Sequence, residues 1–418
     1  MSSYFAKLTL ATVASFACCG SLFTAGTLSA QDVTIKVENG TTKTITVSSV
    51  DDDGKKKPFT GKRATVDVAI LLDTSNSMDG LIGQAQGQLW NIVQEFSNAE
   101  KAGQTPLLRV AVFEYGNSGL PATEGYIRQV EQLTTDMDRI SEVLFELTTD
   151  GGDEYCGQVI DECLDRLDWS NEPNSYKAIF IAGNEPFTQG SVGYEKACKK
   201  AIEAGVVVNT IHCGDSQAGI TGKWQHAAKM AEGKYLNIDQ DRKVVQIKCP
   251  QDKIIIELNQ KLNKTYLWYG ASQQRTKLML NQYKQDSNSM DSAAKGYGGG
   301  LVPRAAAKAS SSYSNAGRDL VDSFSDDAAG LKKLDENVLP EAMQKMTEAE
   351  RVAHVEKMAK IRAEIKAKIA AANVERLAYI ADERKKMAPS GSAAKTLGEV
   401  VTGSVRQQLE KSGFNVKQ

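Results

Sequence analysis

The chain has 418 residues, a hydrophobic fraction of 41% and a formal net charge of −2 at pH 7. This length exceeds one ordinary domain, so we expect one large domain with additional structure. The balance of 50 Lys and Arg against 52 Asp and Glu is near neutral and argues against a nucleic-acid partner.

Residues 1–30 have the pattern of a secretory signal peptide. Lys7 is followed by an uncharged segment, and the small residues Leu28-Ser29-Ala30 precede Gln31. A basic start, an apolar middle and a small-residue end are typical of a cleaved export signal. An uncleaved membrane anchor is the alternative, because the uncharged segment is long enough to span a bilayer. Its Ser, Thr and Gly content favours cleavage, so we expect export to the periplasm, the cell surface or the medium, without a stable membrane span.

Cleavage of that segment would leave five cysteines, which allow at most two disulfides in an oxidising compartment. No pair has the C-x-x-C spacing of zinc or redox motifs. Cys156 and Cys163 fall on the apolar side of a predicted helix, which favours small buried side chains. A disulfide from Cys156 to Cys198 or Cys213 is the alternative.

Residues 31–64 predict a small β appendage and a linker. Two short alternating runs, at 33–37 and 44–47, flank Asn39-Gly40, which is a β-hairpin signal. A charged segment at 51–58 follows them.

The most informative segment follows this linker. The apolar run Val68–Leu72 does not alternate, which is typical of a strand buried on both faces of a parallel sheet. It ends at Asp73, and Ser75 and Ser77 follow at every second position. Three side-chain oxygens on one side of an extended loop suit a hard divalent cation. The alternative is that these residues cap the following helix.

Strand and helix patterns alternate over residues 65–242, which predicts a doubly wound, mostly parallel α/β sheet. The segment at 126–130 is more polar than the other predicted strands and fits a sheet edge. The further predicted strands are 107–113, 126–130, 178–181, 206–211 and 235–238, and the predicted helices are 81–96, 140–147, 154–167, 194–204 and 224–231.

The segment Asp73–Ser77, at the end of the first buried strand, resembles the metal-ion-dependent adhesion site of von Willebrand factor type A domains. The resemblance covers roughly Val66–Asp239. It implies a Rossmann-like fold, a bound Mg²⁺ or Ca²⁺ with Mn²⁺ as an alternative, and a protein partner whose acidic side chain completes the metal site. Segments at 181–187 and 208–215 also resemble an exported bacterial group of these domains.

The resemblance further implies contributions from two other loops. Asp153 occupies the place of a family Thr, and Gly183 occupies the place of a family Asp, so the third carboxylate is absent or displaced to Asn184 or Glu185. An Asp153 carboxylate on the cation would weaken its demand for an outside ligand. The alternative is that Asp153 and Glu154 are acids of a first helical turn. The expected metal ligands are Asp73, Ser75, Ser77, Asp153 and Asn184.

His212 next to Cys213 raises an enzymatic alternative. Adjacent residues of a strand point to opposite faces, so these two cannot hydrogen-bond to each other as a nucleophile and its base. We therefore expect a non-catalytic protein-binding module, with an exported hydrolase as an alternative.

The remaining chain predicts three regions. Residues 243–286 are apolar enough to pack on the sheet, and residues 287–336 are rich in Ser, Ala and Gly, which predicts a flexible linker. Residues 337–418 are strongly helical in composition. Apolar residues from Val352 to Ile369 form a stripe that needs a partner in cis or in a coiled coil. A scaffold that binds partners through this helix, with a structural or degenerate metal site, is the alternative function.

Overall fold

The computed structural model describes residues 32–36, 42–46, 63–172, 174–241, 243, 246–387 and 397–416. The chain divides into two units, Met1–Lys62 and Arg63–Gln418. In the first unit, β1 (Asp32–Lys36) pairs antiparallel with β2 (Thr42–Thr46), which confirms the predicted strand pair. The predicted signal peptide, the Asn39-Gly40 turn and the charged linker at 51–58 lie outside the described residues.

The first part of the second unit alternates strands and helices as predicted. Its elements are β3 (Thr65–Asp73), α1 (Asp79–Ser97), β4 (Ala99–Glu100), β5 (Leu107–Tyr115), β6 (Ile127–Thr134), α2 (Met137–Glu146), α3 (Cys156–Arg166), β7 (Tyr176–Gly183), α4 (Tyr194–Glu203), β8 (Val207–Cys213), α5 (Ser216–Thr221), α6 (Trp224–Met230) and β9 (Tyr235–Ile238).

Six of these strands form one sheet in the order β6-β5-β3-β7-β8-β9. Only β6 runs antiparallel to its neighbour, and the other neighbours are parallel. The predicted doubly wound, mostly parallel sheet is therefore confirmed, and the polar segment at 126–130 belongs to an edge strand. In a sheet of this order, ligands bind at the carboxyl ends of the central strands.

The central strand β3 is buried on both faces, which explains its unbroken apolar run. Val68 and Leu72 lie in the core that includes α1, whereas Ala69 and Leu71 lie in the core that includes α3. Successive side chains of a strand point to opposite faces, so both faces need apolar residues here. This packing fixes Asp73 at the carboxyl edge of the sheet.

The second part of the unit is helical, apart from one short strand at its end. Its elements are α7 (Gln251–Asn263), α8 (Ser272–Lys295), α9 (Leu301–Ala309), α10 (Leu320–Phe324), α11 (Ala328–Lys332), α12 (Glu341–Gln344), α13 (Glu348–Met387), α14 (Leu397–Lys411) and β10 (Asn415–Val416).

The predicted flexible linker at 287–336 is wrong. Its first part continues α8, and α9 follows with buried Val302 and Ala305. Its glycines serve close packing, because a Cβ on Gly299, at φ +73°, would lie 1.8 Å from the backbone oxygen of Gly87 in α1. A segment rich in small residues predicts mobility, but here the small residues let two backbones touch.

Buried charges join α8 and α9 to the sheet domain. Arg304 is fully buried, and its guanidinium lies 2.6 Å from Asp138 of α2 and 2.5 Å from Asp286 of α8. Burial alone would raise the pKa of Asp286, but the charges of Arg304 and Lys308 hold it well below its usual range. The guanidinium also lies 4.4 Å from the ring centre of Trp90 in α1.

The apolar stripe of α13 packs in cis. Val355 and Ile369 are almost fully buried, and Ile365 is 8% exposed. Arg362 on the same helix bonds both Asp319 and Asp322 through its guanidinium at 2.6 and 2.7 Å. The buried part of the stripe therefore has its partner within this chain.

The described C-terminal residues return to the sheet. Gln408 of α14 accepts a hydrogen bond from Tyr176 and donates one to Asn209, at 2.5 and 2.6 Å. β10 pairs antiparallel with β4. We call the helices from α7 to α13, residues 251–387, the helical extension. The predicted helical region 337–418 is thus divided, because α12 and α13 belong to this extension, whereas α14 and β10 pack on the sheet domain.

No described helix is both long and apolar enough to cross a membrane.

The five cysteines of the described chain are free and buried. The alternative prediction of a disulfide from Cys156 to Cys198 or Cys213 is therefore wrong. Cys156 and Cys163 are small buried side chains, as the apolar side of the predicted helix indicated.

We predict that Arg304→Ala lowers the free energy of unfolding by about 3–5 kcal/mol, because it leaves the buried Asp138 without its cation and Asp286 with Lys308 alone. Arg139→Ala is the matched control, since Arg139 also pairs with two carboxylates but is 39% exposed, and we expect a loss below about 1 kcal/mol. Urea unfolding measures both. Equal losses in the two variants would contradict a role of the buried charges in joining α9 to the domain.

Candidate functional site

The first loop of the candidate site begins where β3 ends. Asp73 is fully buried, and its Oδ1 accepts a hydrogen bond from the backbone amide of Ser75 at 2.8 Å. Its Oδ2 and the Ser75 hydroxyl are buried and have no hydrogen-bond partner among the described residues. Ser77 is exposed on the short 3-10 turn that leads into α1.

The helix-cap alternative for this loop finds little support. Ser75 stands before the turn Asn76–Met78 but its side chain makes no capping hydrogen bond, and neither does Met78 before α1. The loop therefore holds a buried carboxylate and a buried hydroxyl whose oxygens are not used by the helix that follows.

The second loop brings Glu154 rather than Asp153 next to Asp73. A Cβ placed on Gly116 would lie 2.9 Å from Glu154 Cγ and 3.0 Å from Asp73 Oδ1, so both acidic side chains lie next to this glycine. Glu154 is only 7% exposed. Asp153 is exposed and accepts a hydrogen bond from the Tyr155 hydroxyl at 3.1 Å.

Sequence reasoning named Glu154 only as the neighbour of Asp153. The predicted helix from 154 begins at Cys156 instead, which leaves both acids in the loop. A loop has no periodicity that fixes which of two adjacent side chains points inward. The only available signal was that both acids precede a helix at the carboxyl edge.

The third loop has no room for the family carboxylate at its first position. A Cβ on Gly183 would lie 2.5 Å from the Tyr115 hydroxyl and 2.9 Å from Asp73 Oδ2. Asn184, the next residue, donates a hydrogen bond to the Ser77 hydroxyl at 3.2 Å, and its Oδ1 is buried without a partner among the described residues. Asn184 is thus the side chain of this loop that reaches the first loop.

The electrostatics of the site reflect carboxylates that share a buried space. Burial raises the pKa of Asp73 to about 6, against the opposing effect of the nearby Ser75 amide and hydroxyl and of the Asn184 amide. Burial and the charge of Asp73 raise the pKa of Glu154 to about 7. The charge of the half-buried Glu185 raises both pKa values further. A positive charge placed among these groups would therefore be stabilising.

Two other acids near this edge have separate structural partners. Glu114 is buried and pairs with Arg128, and it also accepts a hydrogen bond from the Thr74 hydroxyl at 3.3 Å. Asp215 caps α5 by accepting a hydrogen bond from the Ala218 amide at 2.8 Å.

His212 and Cys213 belong to the packed interior. The His212 ring lies 3.2 Å from the Asn184 carbonyl oxygen through Nε2, and 5.7 Å from the Trp224 ring between centres. Burial raises the pKa of the Cys213 thiol well above its usual value, which opposes the thiolate form that a nucleophile requires. These two residues therefore do not form an activated pair.

The side chains around Asp73 fit a divalent cation that prefers oxygen. Within the described chain, no three His, Cys, Asp or Glu side chains form a group that could hold a metal. A cation here would also use neutral hydroxyl and amide oxygens, as Mg²⁺ and Ca²⁺ accept. The buried oxygens without a hydrogen-bond partner belong to Asp73, Ser75 and Asn184.

We predict an unusual pH dependence for the metal-free protein. Because the folded pKa values of Asp73 and Glu154 exceed those of exposed carboxyls, the folded state binds protons more tightly than the unfolded state. The contribution of these two groups to stability therefore falls as pH rises from about 4, near the pKa of exposed carboxyls, to about 7.

Glu154→Gln should remove the part of this loss of stability that occurs as pH approaches about 7, the pKa of folded Glu154. The variant should therefore become more stable relative to the unchanged protein as pH increases. Thermal unfolding in chelator at several pH values measures the difference, with Asp153→Asn as the matched control. A difference between Glu154→Gln and the unchanged protein that is the same at every pH would contradict the assignment.

No protein-family model and no curated protein matches this chain. One solved structure similar to it is the SpRpn10 VWA domain, with 14% identity, 43% of this chain and 91% of that chain covered, and a TM-score of 0.33. Another is a conserved hypothetical protein, BatB from Bacteroides thetaiotaomicron, with 15% identity, 53% and 99% covered, and a TM-score of 0.32.

A third similar structure is proximal thread matrix protein 1 from the mussel byssus, whose MIDAS motif is occupied by zinc. It is 14% identical, the match covers 43% of each chain, and the TM-score is 0.31. Scores this low transfer no site residue to the present chain, so its own features must place it. By its strand order, its single antiparallel edge strand and the segment Asp73–Ser77 at the end of its central strand, the chain has the fold of the von Willebrand factor type A superfamily.

Proposed function

We propose that this protein is an exported, non-catalytic module that binds a protein partner at the carboxyl edge of its sheet, with the help of a divalent cation. One observation carries the proposal. The buried oxygens Asp73 Oδ2 and Ser75 Oγ lie at this edge without a hydrogen-bond partner among the described residues.

The physical reason is the free-energy cost of such groups. A buried polar group without a partner costs roughly 1–3 kcal/mol, and more if it is charged. Such a cost usually persists in a fold only when another component removes it. Mg²⁺ or Ca²⁺, with Mn²⁺ as an alternative, is the component that fits these oxygens.

The residues that would hold the cation come from three loops. Asp73, Ser75 and Ser77 come from the first loop, Glu154 from the second and Asn184 from the third. Asp153, which the family resemblance implied, remains a candidate that would have to turn inward from its exposed position. When bound, the cation would supply a positive charge and an open coordination position for an oxygen of the partner.

The protein itself shapes the site around that charge. Gly116 and Gly183 have no side chains, so the loops can approach the Asp73 carboxylate closely. The hydrogen bond from Asn184 to Ser77 ties the third loop to the first. Export is supported only by the pattern of residues 1–30.

A second candidate function is binding through the distal part of α13. There Val374, Leu377 and Tyr379 are 69%, 50% and 37% exposed, beyond the stripe that packs in cis. These residues favour a scaffold role for the helix. Val374→Ser with Leu377→Ser should abolish partner binding if this surface is used, and should leave it unchanged if the sheet edge is used.

We predict that Mg²⁺, Ca²⁺ or Mn²⁺ raises the unfolding temperature of the protein relative to chelator-treated protein. A ligand that binds only the folded state stabilises it by about 2.7 kcal/mol at a free concentration one hundred times its Kd. Ser75→Ala should remove most of the shift, because it deletes a buried oxygen of the site.

Ser216→Ala is the matched control, because Ser216 is an exposed serine at the start of α5. It should keep the full shift. If none of the three ions changes the unfolding temperature, the metal-dependent proposal is wrong and the surface on α13 becomes the better candidate.

A further inference from the structure

We infer that the partner of this edge presents a basic surface, rich in Lys and Arg, rather than the acidic side chain that the family resemblance implied. This inference rests on the proposed function, since it names the chemistry of the partner at the same edge. It depends on the charges of the loops that surround Asp73.

The loops at the carboxyl edge are rich in acids. Their segments nearest the strand ends are residues 73–79, 116–126, 148–155, 184–193, 214–222 and 239–241. These segments contain no Lys, Arg or His, although Arg242 and Lys243 follow the last of them directly. Their ten acidic residues are Asp73, Asp79, Glu124, Asp150, Asp153, Glu154, Glu185, Asp215, Asp239 and Asp241.

Most of these acids face solvent, since all except Asp73, Glu154 and Glu185 are exposed. Among the described residues none of the ten forms an ion pair, and the nearby cation Arg128 pairs with Glu114 instead. The basic residues that follow these segments most closely are fewer; they are Arg128, Lys196, Lys223, Arg242 and Lys243. The acids therefore give the edge a net negative charge.

A second and independent feature marks this edge as a binding site rather than a merely solvated acidic surface. Asp73 is fully buried, and its Oδ2 has no hydrogen-bond partner among the described residues. In a solvated acidic patch, water hydrogen-bonds the exposed carboxylates, so a buried carboxylate oxygen without a partner is not expected there.

The charges at the edge then indicate the sign of the charge that the partner carries. A divalent cation would be neutralised by Asp73 and Glu154, which both lie next to Gly116. Glu185 and the exposed acids would remain, so the edge stays negative after the cation binds. An incoming carboxylate would meet repulsion, whereas Lys and Arg side chains would meet complementary charge. The cation can then still accept a neutral oxygen of the partner.

The experiment compares two labelled peptides of equal length, one of alternating Lys and Gly and one of alternating Glu and Gly. Fluorescence anisotropy measures their binding to the full chain in Mg²⁺ at low and at physiological salt. We expect the Lys peptide to bind at least about tenfold more tightly, and its binding to weaken as salt increases.

Two triple variants with the same change in charge locate the surface. Glu124→Gln, Asp153→Asn and Asp241→Asn neutralise the edge, and should weaken binding of the Lys peptide several-fold. The control neutralises exposed acids of the helical extension and should leave binding unchanged; its substitutions are Glu257→Gln, Asp291→Asn and Glu364→Gln.

The inference is overturned if the Glu peptide binds more tightly than the Lys peptide, or if the two triple variants weaken binding equally. It is also overturned if the chain occupies its own edge through the exposed residues 384–386. That case would appear as self-association at low salt, abolished when these three basic residues are neutralised. If metal ions stabilise the protein but the Glu peptide binds more tightly, only this inference is contradicted. If the Lys peptide binds more tightly but no metal ion stabilises the protein, the metal site is contradicted and the basic partner is not.

Discussion

The rest of the candidate site depends on the burial of the Asp73 carboxylate at the end of the central strand. The strand is covered by helices on both faces, so its last residue cannot turn to solvent without disturbing two cores. Gly116 and Gly183 then bring neighbouring loops so close that no side chain fits between them and Asp73. A buried charge, a buried hydroxyl and a second acid, Glu154, are thus held together by the fold itself.

The helical extension packs on the sheet domain through buried charges. Arg304 joins α2 to α8 through buried ion pairs, and the described C-terminal residues pack through α14 and β10 against the sheet domain. Residues 63–418 form one compact unit. Residues of the extension and of α14 share one apolar core with the sheet, and this core includes Val302, Ile369 and Leu397.

The sequence predicted the sheet well, because its signals come from burial. The strand Thr65–Asp73 lacks alternation since both faces are covered, and the polar edge strand at 127–134 shows the opposite pattern. The choice between Asp153 and Glu154 could not be predicted, because it depends on loop dihedral angles. The supposed linker at 287–336 failed for a related reason, since Gly299 allows both mobility and close packing. The loss of the family Asp was visible in the sequence, but its cause, the contact of Gly183 with Tyr115, was not.

The most direct test of a divalent cation held between Asp73 and Glu154 is a Mn²⁺ titration followed by electron paramagnetic resonance, which measures free Mn²⁺. The account predicts that the protein removes one equivalent of the free signal, and that Mg²⁺ restores it by competition. Asp73→Asn and Glu154→Gln should each weaken the binding, whereas Asp153→Asn should leave it close to that of the unchanged protein. Binding that is lost in Asp153→Asn and kept in Glu154→Gln would contradict the account, as would a free signal that the protein never reduces.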